Sequence, residues 1–140
     1  MTGALDVAFV DRADVKVYIG PPGCAARYAI LLSCVRELAL RGLIAAHESE
    51  LPPPWDALPP QLMAAAGGEA PTMLPPGVAP VEVLLASSIA AAGLSGRALR
   101  KLPFLACAEL MGSAGAMTLR DFLGALFTAT CAELAERAAL

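Results

Sequence analysis

Arg97, Arg100 and Lys101 follow directly on Ser95-Gly96 in the run Gly93-Leu94-Ser95-Gly96-Arg97-Ala98-Leu99-Arg100-Lys101-Leu102-Pro103-Phe104. At i, i+3 and i+4 they share one face of the first two turns of a predicted helix. Ser95 is placed as the N-cap, its hydroxyl able to accept from the backbone N–H groups of the next turn. Leu94 and Leu99 fall at N′ and N4, the spacing of a hydrophobic staple. Gly96 at N1 has no side chain, so a ligand could approach the unpaired N–H groups closely. A helix N-terminus is already positive, and cations beside it are disfavoured. Two readings follow: a solvated basic face whose cap is only a cap, or an anion, most often phosphate, shared between side chains and backbone.

Other chemistry finds little support. Cys24, Cys34, Cys107 and Cys131 form no CxxC pair, and His47 is the only histidine, which argues against a zinc site. Cysteines inside helical patterns read as small buried hydrophobes, in keeping with a reducing, intracellular compartment. No Gly-x-Ser-x-Gly occurs, and a lone distant histidine builds no hydrolase triad. A formal charge of −3 argues against a general nucleic-acid binder. Hydrophobic residues make up 57% of the chain, yet the longest charge-free run, Val83 to Gly96, is too short and too interrupted to span a bilayer. The opening Met-Thr-Gly-Ala-Leu-Asp has neither the basic nor the apolar region of a signal peptide.

The elements that must position the basic cluster read as helices. Val15, Val17 and Ile19 alternate with Lys16 and Tyr18 as a short strand that stops at Gly20-Pro21-Pro22. No other segment reads clearly as a strand, and a lone strand must pair with a sheet. A helix over 22–41 carries the stripe Tyr28, Leu31, Leu32, Val35, Leu38 and Ala39, with Gly42 as its C′ residue. Nine of the twelve prolines lie between Pro52 and Pro80, so about 46–80 reads as a mobile, insertion-like loop. Within it, Trp55 either packs on a neighbouring helix or docks a partner. A helix over 81–92 presents Val81, Leu84, Leu85, Ser88 and Ile89 on one side. The basic helix, 96–111, contains Pro103, which should kink or divide it. The last helix, 118–138, has Thr118 as N-cap with Asp121 at N3, and the stripe Leu119, Phe122, Leu123, Leu126, Thr130 and Leu134.

The run from Gly93 to Phe104 resembles the sensor-2 segment of the Pch2/TRIP13 AAA+ ATPases. Asp6-x-Ala8-Phe9-Val10-Asp11-Arg12-Ala13-Asp14, followed by Tyr18-Ile19-Gly20-Pro21-Pro22, resembles the end of that family's ATPase core. Thr118-x-x-x-Phe122-Leu123-x-Ala125-Leu126 is a third match. The order Pro21-Pro22, Arg27, Ile30-Leu31 is similar to the first lid helix of AAA+ proteins generally. The resemblance covers most of the chain except about 46–80, where the family's connection is usually more compact and more charged.

The resemblance implies a mostly α fold. Residues 1–20 would be the end of the AAA+ α/β core with its last strand, and 21–140 the helical lid. It makes Arg97, with Arg100 one turn on, the sensor-2 contact to nucleotide phosphates at Ser95-Gly96. Arg12 would be the arginine finger acting in trans, and Gly20, Pro21 and Pro22 the hinge. It further implies ATP and Mg2+ in the full-length enzyme, a homo-hexamer, and HORMA-domain proteins with a HORMA-type adaptor as partners. Work in meiotic chromosome-axis control and the spindle checkpoint, in nucleus and cytoplasm, goes with it, with no direct nucleic-acid or membrane contact. For Arg12 taken alone, an intramolecular pair with Asp11 or Asp14 is the competing reading. Two whole-chain alternatives stay open: a non-catalytic interaction module derived from an AAA+ lid, and the lid of another AAA+ unfoldase.

No Gly-x-x-x-x-Gly-Lys-[Ser/Thr] and no acidic Walker-B strand occur in the 140 residues. By the family's order these precede Asp6, which places Met1 inside a longer protein or at the start of a truncated product. Purified residues 1–140 are accordingly expected to show no ATP turnover above background in a phosphate-release assay. Activity sensitive to mutation of Arg97 would contradict the lid assignment.

Overall fold

The computed structural model describes residues 22–69, 71, 73–74, 77–110 and 117–138. Its elements, in order, are α1 (Cys24–Leu40), β1 (Ile44–Ala45), 3-10 turns at Glu48–Glu50 and Trp55–Ala57, α2 (Pro60–Ala65), α3 (Pro80–Ala90), α4 (Gly96–Leu110), β2 (Met117–Thr118) and α5 (Leu119–Ala138). The mostly α class read from periodicity holds. The expected strand at 15–19 lies outside the described residues, as do Arg12, Gly20 and Pro21.

Helix ends follow the capping residues. After α1, Gly42 takes φ +80°, and the N–H groups of Gly42 and Leu43 return to the carbonyls of Ala39 and Leu38. That double return is a Schellman motif, and it needs a residue free to enter the left-handed region. At α5, the Asp121 N–H donates to Thr118 Oγ1 at 3.0 Å, the N-cap expected from the sequence.

Helices α1 and α5 each pack against both α3 and α4, so that the four long helices close a ring of contacts around the core. The stripe of α1 is buried at Tyr28, Leu31, Leu32 and Val35, and that of α5 at Phe122, Leu123 and Leu126. Helix α3 departs from the one-sided face expected for it. Val83 to Ser88 are buried without a break, because the helix is enclosed by its neighbours on every side. Ser87 and Ser88, both fully buried, donate back to the carbonyls of Val83 and Leu84 at 3.0 and 2.9 Å, so neither hydroxyl is left unpaired.

Three further features differ from the sequence reading. Helix α4 is not divided at Pro103 but continues from Gly96 to Leu110. The ring occupies a buried position beside Leu102 and Ala106, where packing offsets the missing N–H. Ile44–Ala45 and Met117–Thr118 pair as a two-residue parallel ladder, too short to leave any alternation in sequence. The proline-dense stretch contains two 3-10 turns and α2 rather than an unpatterned loop. Trp55 packs edge-on to Tyr28, ring centroids 5.6 Å apart, and the Tyr28 hydroxyl donates to the Pro53 carbonyl at 2.7 Å. Burial pushes that phenol up to about 12, so it remains a donor throughout the neutral range.

Arg27 is buried at the start of α1. Its Nε donates to the Ser88 carbonyl at 2.7 Å and its guanidinium NH1 to the Pro22 carbonyl at 2.8 Å. One cation thus joins the chain's entry into the bundle to the C-terminal half of α3.

The energetic weight lies in the apolar seam. Leu99→Ala, at a side chain with 0% exposure, is expected to cost roughly 2–5 kcal/mol in urea denaturation. Phe104→Ala, one of the exposed positions on the same helix, should change stability by about 0.5 kcal/mol or less.

Candidate functional site

The basic cluster stands where the sequence places it. At the N-terminus of α4 the Ala98 N–H donates to Ser95 Oγ at 3.2 Å, and the Leu99 N–H to the Ser95 carbonyl at 2.9 Å. Leu94 and Leu99 are both buried, which anchors the two ends of the staple. The cap satisfies one of the orphan donors. Among the described residues the N–H groups of Gly96 and Arg97 have no backbone acceptor.

Leu99, Leu102 and Ala106 face the core, which turns Arg97, Arg100 and Lys101 outward to solvent. Arg97 has no carboxylate within ion-pair distance among the described residues. Arg100 folds back along its own helix, so a Cβ added at Gly96 would lie 3.3 Å from its NH1. A guanidinium lying over a helix N-terminus meets like charge from the macrodipole. An anion bound there would turn both into favourable contacts.

Ser95, Arg97, Arg100, Lys101, Phe104 and Arg137 border an open depression of about 470 Å³. Arg137 comes from the far end of α5. Sequence reasoning did not include it, nor Glu133, which supports it. Glu133 Oε2 accepts from Lys101 Nζ at 3.3 Å and from Arg137 Nε at 3.2 Å. The i,i+4 spacing of Glu133 and Arg137 was visible in the sequence, but the contact across helices to Lys101 was not. Desolvation raises the Glu133 pKa, but the hydrogen bonds and charges of Arg137 and Lys101 outweigh it and hold the carboxyl below its ordinary value.

A second, larger depression of about 600 Å³ lies between α1 and α4, bordered by Leu38, Leu43, Pro103 and Phe104 with Arg100 at its edge. The four cysteines are half-buried, and burial pushes every thiol upward, which makes them poor nucleophiles at neutral pH. Of the proposed hinge residues, Pro22 is described, and its carbonyl is held by Arg27.

The lowered pKa of Glu133 has a thermodynamic consequence. A carboxyl whose folded pKa lies below its unfolded value contributes stability above the unfolded pKa, and loses it as pH falls through the folded one. The stability difference between wild type and Glu133→Gln should therefore be constant from neutral pH down to about 5 and shrink below about 4.5, when followed by urea denaturation at stepped pH.

Comparison with known proteins identifies the family. A family model described as "TRIP13-like, AAA+ ATPase lid C-terminal domain" matches residues 23–134. The chain is 41% identical over 138 residues to the pachytene checkpoint protein 2 homolog of Homo sapiens, covering 98% of this chain and 29% of that protein. For the homologs of Danio rerio and Arabidopsis thaliana the identities are 39% over 141 residues and 42% over 113 residues. These cover 100% and 79% of this chain, and 30% and 23% of the respective relatives. The structure of Caenorhabditis elegans PCH-2 superposes with a TM-score of 0.61 at 27% identity, covering 96% of this chain and 32% of that one. The chain thus spans between 23% and 32% of the length of these relatives. With the capped, basic N-terminus of α4 lying inside the matched region, the chain belongs to the TRIP13-like AAA+ ATPase lid family.

Proposed function

We propose that this chain is the lid of a hexameric AAA+ ATPase that remodels HORMA-domain proteins, and that Arg97 is its sensor of bound nucleotide. The observation that carries the reading is the α4 N-terminus: among the described residues, a capped helix start with unpaired N–H groups, an exposed Arg97 without a carboxylate partner, and Arg100 folded over Gly96. Family membership supplies the context, since AAA+ lids close over a nucleotide held by the preceding core.

The residues fit a polyphosphate. Arg97 offers a planar fork to two phosphate oxygens, and the Gly96 N–H has no backbone acceptor among the described residues. Arg100 adds a second guanidinium from one turn on. ATP, with Mg2+, supplies the phosphoanhydride whose hydrolysis drives the cycle. We assign the metal to the core. In this reading Arg97 binds phosphate in cis, while Arg12 reaches the neighbouring subunit's nucleotide in trans. Gly20, Pro21 and Pro22 form the hinge about which the lid rotates as one body. HORMA-domain proteins, with a HORMA-type adaptor, are the proposed substrates.

The test is Arg97→Ala in the full-length enzyme. Arg97 is exposed, so truncation opens no core cavity, and a helix N-terminus gains slightly from losing a positive charge. The melting temperature should hold. A charge-assisted contact of about 1.5–3 kcal/mol is lost. Nucleotide affinity or turnover should therefore fall roughly tenfold to a hundredfold. Arg97→Lys should rescue only in part, because an ammonium cannot reproduce the fork. Unchanged nucleotide binding, or a loss that merely tracks the melting temperature, would make Arg97 structural.

A further inference from the structure

We infer that Glu133 is a positioning residue that fixes Lys101 and Arg137 at the rim of the α4 site, so that Arg137 of the last helix becomes a further phosphate-facing cation. This rests on the nucleotide-sensing reading of Arg97.

The argument begins from an apparent contradiction. A site meant for an anion has a carboxylate beside it, which by charge alone weakens anion binding. That carboxylate is buried, with its side chain 9% exposed, while its partners Lys101 and Arg137 are 52% and 49% exposed. It is therefore not a solvated surface charge. Both contacts use the same oxygen, Oε2. Arg137 contributes only its Nε to that pair, leaving the donors of both terminal nitrogens for another acceptor. Lys101 likewise keeps two of its three protons. Glu133 thus orients two cations without exhausting their donors.

The geometry also spans two elements. Lys101 lies on α4, whereas Glu133 and Arg137 lie on α5, so the carboxylate ties the last helix to the helix that carries Arg97 and Arg100. Arg137 then borders the same depression as Arg97. Long side chains that are already held lose less conformational freedom when the ligand arrives. The lowered pKa of Glu133 agrees with a carboxylate that stays ionised in this role.

The experiment is equilibrium binding of ATP to the full-length protein at fixed ionic strength, with a thermal melt for each variant. Glu133→Gln removes a negative charge from an anion site, so charge alone predicts tighter binding. Positioning predicts the opposite sign: affinity about tenfold weaker, measured at a temperature where the variant, less stable than wild type, is still fully folded. Arg137→Gln, which changes a half-exposed side chain, should weaken ATP to a similar degree. The double variant should be weaker by less than the sum of the two single effects, because both changes remove the Glu133–Arg137 contact. If Glu133→Gln binds ATP as tightly as wild type or more tightly, the proposal is overturned. Should that variant melt early, Arg137→Gln decides, and unchanged affinity there overturns it as well. Arg97→Ala separates the two levels. Weakened binding by Arg97→Ala alone removes only the role of Glu133, whereas no effect of Arg97→Ala removes the sensor reading on which it rests.

Discussion

The rotation of α4 about its own axis is set by apolar contacts, and the direction of Arg97, Arg100 and Lys101 follows from it. Leu99, Leu102 and Ala106 are fully buried against neighbouring helices, at i, i+3 and i+7. A helix seated on three such positions cannot turn without exposing one of them, at roughly 1.5–3 kcal/mol for a leucine. Arg97, Arg100 and Lys101 occupy the opposite arc and must point to solvent. Helix α3, buried without a break from Val83 to Ser88, carries no comparable division. The site is therefore placed by the core, and its chemistry is added on the face the core leaves free.

That division explains what the sequence could reveal. Where one face is apolar and the ends are capped, period and capping residues agree, as at α1 with Gly42, α4 with Ser95 and α5 with Thr118. The basic cluster was legible because its positions lie within one helix, at spacings fixed by helical geometry. Helix α3 was read as one-sided because a helix enclosed on all sides has no polar face to mark its orientation. The 3-10 turn at Trp55 is held by Tyr28, a residue 27 positions away, and no local signal announces such a contact. Glu133 was missed for the same reason, since its role depends on Lys101, a residue of another helix.

Pro103 shows the limit of a local rule. Proline removes a donor and crowds the preceding turn, so an isolated helix would be expected to bend or break there. In α4 the ring takes a buried position in line with the apolar seam, between Leu102 and Ala106. Tertiary packing outweighs local propensity, and the helix continues to Leu110. One consequence is that Phe104 stands on the exposed side, bordering both the basic depression and the apolar one next to α1.

Two buried charges join α1 to α3 and α5 to α4. Arg27 ties the entry of α1, through the Pro22 carbonyl, to Ser88 of α3. Glu133 ties the far end of α5 to Lys101 of α4. Apolar contacts alone would hold these helices together but would let them slide, because dispersion and burial have little directional preference. Hydrogen bonds to a charged group have direction, and breaking either would leave a buried polar atom unpaired. Under the proposed function this distinction matters. A lid that rotates about Pro22 must move as one body for phosphate contact at Arg97 to be felt at the chain's entry. Apolar packing fixes the rotation of α4, and the two charged ties fix the registry of the helices around it.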